Sequence, residues 1–123
     1  MENANSLKKI VNDYFDAFEA RDLSRCLEFF HDDAVLHFAT GKFSGIKSID
    51  QWHQARFEGG MRIVEVESIE VQNDTVIVQA VATSPKLKLV RIDDLKGTVT
   101  FVIKQDKFKE LRMELRKGYR FHI

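Results

Sequence analysis

An α+β fold, helices first and a curved sheet after them, is what this chain predicts, and three features of its 123 residues predict it. Apolar residues recur at steps of three and four through the first sixty positions. From Met61 onward the spacing changes to two. One proline and six glycines leave little room for linkers, so a single domain over residues 1–123 is expected. Helical and strand periods segregated in this way imply one layer of helices packed on an antiparallel meander.

Each element has its own local reason. Ser6 is a candidate N-cap, and Leu7, Ile10, Val11, Tyr14, Phe15 and Phe18 form one apolar stripe ending near Ala20. Asp22 is a second N-cap, opening a short helix with Leu23, Cys26, Leu27 and Phe30 on its inner side. His31-Asp32-Asp33 breaks that pattern, and residues 34–38 read as a strand. Thr40-Gly41 turns the chain. Ser44-Gly45 precedes a third helix carrying Ile46, Ile49, Trp52, His53, Arg56 and Phe57, which Gly59-Gly60 ends. Four strands follow, over residues 62–71, 75–84, 95–104 and 108–117. Asn73-Asp74 and Gln105-Asp106-Lys107 are hairpin-type turns, Pro85 bounds the second of these strands, and Asp93-Asp94 is a loop or a bulge.

Composition removes several function classes. Nineteen basic residues balance nineteen acidic ones, against the basic excess of a nucleic-acid binder. The most basic stretch, residues 107–120, alternates its charges like the wet face of a strand. No apolar run approaches the roughly 18 residues of a membrane helix. Residues 1–6 lack the basic and apolar regions of a signal peptide, so a cytoplasmic location is expected. Cys26 is the single cysteine and reads as a small core residue. His31, Asp32, Asp33 and His37 resemble a metal cluster only superficially. Six residues of strand separate the two histidines by about 20 Å. No metal or cofactor is expected.

Ten phenylalanines, two tyrosines and one tryptophan exceed what simple core filling needs, which implies a cavity lining or an interface. The meander strands are also apolar on both faces. Val76, Val78, Ala80 and Ala82 point one way and Ile77 and Val81 the other, while Val99, Phe101 and Ile103 oppose Val102. A sheet with one wet face alternates cleanly, so a homodimer through the outer sheet face is expected.

The segments Tyr14–Leu23 (YFDAFEARDL), Leu27–Val35 (LEFFHDDAV) and Phe43–Trp52 (FSGIKSIDQW) resemble the nuclear-transport-factor-2-like superfamily, in its SnoaL-like and ketosteroid-isomerase-like branch. The likeness covers the first half of the chain closely and the meander by pattern alone. It implies a cone-shaped fold and a mostly apolar pocket for a small hydrophobic molecule. It does not imply one chemistry, because the fold hosts isomerases, cyclases, epoxide hydrolases and binding domains. Tyr14 falls on the oxyanion-donor position of ketosteroid isomerases. The position of their base falls on Phe38, which cannot take a proton, and the meander position of their acid falls near Thr98–Thr100, with no carboxylate between Lys96 and Gln105. That mechanism is therefore not expected here.

Tyr14 is either a core tyrosine or a donor at a pocket floor. His37 alternates away from the interior unless a one-residue slip near Thr40 turns it inward, where it would be the best base in the chain. His53 is a rim residue or a second acid–base candidate. Phe15, Phe18, Phe38, Trp52, Phe57, Phe101 and Met113 are the expected ligand-binding residues. On the last strand Arg112 and Glu114 alternate with Leu111, Met113 and Leu115, and the apolar set is expected inside. The expected function is binding of a small hydrophobic compound, with acid–base isomerisation, cyclisation or hydration by Tyr14, His37 or His53 if turnover occurs. The alternative is a non-catalytic ligand-binding or protein-interaction domain.

Overall fold

The computed structural model describes residues 3–91 and 94–116. Helix α1 spans Ala4–Glu19 and α2 Leu23–Glu28, followed by β1 (Phe30–Phe38), β2 (Gly41–Ser44) and α3 (Ile46–Glu58). The meander is β3 (Arg62–Gln72), β4 (Thr75–Thr83), β5 (Leu95–Lys104) and β6 (Lys107–Leu115), with a short helix α4 (Pro85–Leu89) between β4 and β5. Among the described residues no helix is long and apolar enough to cross a membrane.

The sheet has six strands in the order β2-β1-β6-β5-β4-β3. The meander strands pair antiparallel as expected, and β1 joins them by running parallel to β6, with β2 antiparallel to β1 at the edge. The parallel pairing also lengthens β1. Phe30, expected inside the second helix, instead pairs with Phe108, and a register irregularity between Phe30 and Val35 absorbs His31-Asp32-Asp33. Two further shifts in β3, at Ile63/Glu65 and Val66/Ser68, bend the edge strand and leave Val64 and Val66 exposed.

The caps follow local chemistry. Asn3 rather than Ser6 caps α1, its side chain accepting from the Ser6 amide, and Asp22 caps α2 by accepting from Arg25 N. Gln105 and Asp106 both have positive φ, the two-residue geometry that matches strand twist between β5 and β6. Gly60 has φ +74°, and a Cβ there would stand 2.9 Å from Pro85 Cδ. Ser84 caps α4, with Pro85 in its first turn, so the expected strand boundary is the start of an unexpected helix. Lys117 of the expected last strand and Asp93 of the expected loop lie outside the described residues.

Helices α1 and α3 cover the concave face of the sheet, and the core lies between them and that face. Glu19, at the end of α1, accepts from the Ile63 amide at 2.6 Å and from Arg62 at 3.0 and 3.2 Å, fastening α1 to the first strand of the meander.

Candidate functional site

The concave face is graded along its strands. At one end Val76, Phe101, Leu111 and Leu36 lie in one cross-strand row, beside Phe30, Phe108 and Ile103. Moving along, the next row is Val78, Val99 and Met113, and the next has only Ala80 and Gly97 before Leu115. Large side chains therefore fill the narrow end of the cone, and small ones leave the wide end open.

Tyr14 occupies the filled end. Six phenylalanine rings, those of Phe15, Phe18, Phe29, Phe30, Phe101 and Phe108, surround its ring at centroid distances of 5.2–6.2 Å. The Tyr14 hydroxyl lies 2.7 Å from His53 Nε2, and His53 Nδ1 lies 2.7 Å from the Ile49 carbonyl. A carbonyl only accepts, so Nδ1 carries the proton, Nε2 of the neutral ring accepts, and the tyrosine donates. Both side chains are fully buried. Burial lowers the His53 pKa to about 4, against the smaller opposing pull of its bond to Ile49, and pushes the Tyr14 phenol well above its ordinary value. A weak base and a weak acid facing each other form one neutral hydrogen bond at pH 7. Cys26, buried nearby on α2, is pushed up to about 12 by burial and then by the Asp22 charge.

The open end is a cavity of about 430 Å³. Its floor is Ala80, Ala82, Gly97, Val99 and Met113. Ala55 and Arg56 of α3, with Gly59 and Met61 just after it, form one wall, Phe38 another, and Leu87 of α4 a third. The Arg56 guanidinium sits 4.9 Å over the Phe38 ring and 5.8 Å from that of Trp52. Exposed Lys86 and Leu115 mark where the cavity meets solvent.

Of the expected ligand-binding residues, Phe38 and Met113 face this cavity. Phe15, Phe18 and Phe101 are packed in the core, and Phe57 lies against Phe18 at 5.1 Å. Trp52 lies behind Phe38 at 5.3 Å, with its indole N–H buried and unpartnered. Tyr14 and His53 come together, but with each other in the core. His37 is on the outer face: Phe38 pairs with Gly41 and His37 with Lys42, so no slip turns it inward. There it faces Glu110 at 3.5 Å, and Arg112 holds the same carboxylate at 3.1 Å. His31 bonds the Lys104 carbonyl and Asp33 pairs with Lys109, which separates the superficial metal cluster. Among the described residues no group of three His, Cys, Asp or Glu could hold a metal ion.

Of the floor residues only Met113 is among the expected ligand-binding set, because alanine and glycine carry no chemistry of their own that a sequence displays. A signal for the floor exists: Ala80-x-Ala82 on one strand and Gly97 on the next are small residues at inward positions, and the register places Ala80 opposite Gly97.

Comparison with known proteins agrees with this architecture. Residues 11–111 match the model of the SnoaL-like domain. No curated protein matches the chain. Among solved structures, a proposed polyketide cyclase from Sinorhizobium meliloti is similar at 25% identity with a TM-score of 0.77, covering 86% of this chain and 94% of that one. The epoxide hydrolase/cyclase-like enzyme SalBIII, described in pyran ring formation in the polyether salinomycin, is similar at 18% identity and TM-score 0.82, covering 95% of each chain. A nuclear-transport-factor-2-like protein from Cytophaga hutchinsonii shares the fold at 8% identity, with a TM-score of 0.74 and coverage of 94% of each chain. A match over most of the chain, together with helices seated on a curved six-stranded sheet, makes this protein a member of the SnoaL-like family of the nuclear-transport-factor-2-like fold.

Proposed function

We propose that this protein binds a small hydrophobic molecule in the wide end of its cone. The observation that carries the reading is the 430 Å³ cavity over Ala80, Ala82 and Gly97, within the size range of small-molecule sites and walled largely by apolar side chains. The acid–base candidates stand elsewhere, since Tyr14 and His53 satisfy each other in the core and His37 lies on the outer face. Binding is therefore better supported than turnover. If the ligand is transformed, the cyclase and epoxide hydrolase/cyclase-like names of the similar structures make ring formation or hydration the first reactions to assay.

The reading includes a homodimer through the outer sheet face. Its support is the half-buried apolar set Val35, Ile77 and Val102, which shares that face with Thr98, Thr100, Glu110 and Arg112.

Native mass spectrometry of freshly purified protein, before and after denaturation, tests occupancy directly: the expected result is a retained small molecule released on unfolding. Titration with 1-aminoanthracene, a hydrophobic fluorophore, tests the place. Ala80→Leu adds a side chain into the cavity, so dye affinity should fall about ten-fold or more while the fold is retained by circular dichroism. Equal dye binding by Ala80→Leu and the unaltered protein would place the ligand elsewhere.

A further inference from the structure

We propose that the cavity selects an anionic amphiphile, a hydrophobic body of about a dozen non-hydrogen atoms bearing a carboxylate that seats on Arg56. The inference deepens the binding reading and rests on it. Arg56 is half-buried in the wall of a largely apolar cavity. Its guanidinium packs on Phe38 at 4.9 Å and on Trp52 at 5.8 Å, and among the described residues no carboxylate pairs with it.

An apolar ligand entering here would strip water from that cation and give nothing back, which is costly for any charge. A carboxylate compensates it and matches the planar fork of the guanidinium with two parallel hydrogen bonds. Lys86 adds a second cation at the rim. Glu114, the one carboxylate residue around the cavity among the described residues, pairs with Thr98 in the outer-face row that includes Gln79, so its side chain belongs to the opposite side of the sheet. The size follows from volume: 430 Å³ at about 30 Å³ per water-sized group holds roughly fourteen such groups.

The test compares three probes of equal chain length, octanoate, 1-octanol and octylammonium, by calorimetry or NMR titration at pH 7 and constant low salt. Octanoate is expected to bind about ten-fold more tightly than 1-octanol, with octylammonium weakest, the scale of one charge-assisted hydrogen-bond pair. The octanoate-to-octanol ratio should fall toward one in Arg56→Gln and persist in Arg56→Lys. Equal binding of octanoate and 1-octanol, or a ratio unmoved by Arg56→Gln, overturns the anion proposal and leaves the cavity reading standing. No binding of any probe overturns both. The ranking in the unaltered protein decides even where the glutamine variant folds poorly.

Discussion

A histidine held neutral by a backbone carbonyl is the pivot of the core. Ile49 O fixes the proton on His53 Nδ1, and Tyr14 donates to the other nitrogen. Removing that donor in Tyr14→Phe leaves a buried acceptor unsatisfied, and the expected cost is about 1–2 kcal/mol in urea unfolding. The same histidine makes stability depend on pH. Its pKa is about 4 when folded, below the ordinary value of 6.5, so the unfolded chain binds the proton more readily. Its stabilising contribution is complete above pH 6.5 and is lost as pH falls toward 4, by an amount on the order of 3 kcal/mol. Urea midpoints measured from pH 7 to pH 4 should therefore decline more steeply for the unaltered protein than for His53→Gln. Parallel curves would mean that the imidazole is protonated in the folded core.

Between elements, the decisive contacts are small. Gly60 ends α3 with positive φ directly against Pro85, so the α3–β3 turn and the start of α4 share one tight contact. Gly60→Ala combines backbone strain with that clash and should cost about 1–3 kcal/mol, read as a lowered thermal midpoint. Ala80 and Gly97 face each other across β4 and β5 and keep the wide end of the cone empty. A Cβ on Gly97 would meet the Glu114 carbonyl at 3.0 Å, so the floor there is also held at its closest approach. The Ala80→Leu test acts on this element pair, adding volume at a residue that lines the cavity.

For the whole molecule, the two faces of the sheet have different tasks. The concave face grades from stacked rings to bare backbone, which gives a rigid base and an open mouth. The outer face carries a polar row, His37, Arg112 and Lys42, beside Ile77 and Thr100. If a second copy covers this face, a charge at its apolar centre should separate the pair. Ile77→Lys is expected to convert a dimer into a monomer in sedimentation velocity, with the circular dichroism spectrum unchanged. A monomer in the unaltered protein at micromolar concentration would remove the dimer from the proposed function.

Local chemistry alone sets most of the element order here. The stripe from Leu7 to Phe18, the Asp22 cap, the Gly45 and Gly59 boundaries and the period of two after Met61 all act over a few residues, so they are legible along the chain. The first-half segments were likewise enough to indicate the family. Three-dimensional pairing decided the rest. The parallel ladder of β1 and β6 joins residues more than seventy positions apart, and no local period encodes it. Thirteen aromatic residues fit a cavity lining as readily as a core until their neighbours are known; here most of them pack on one another around Tyr14. The cavity comes instead from alanines and a glycine whose only contribution is the volume they leave empty, and an empty volume exists only once the strands around it are in register.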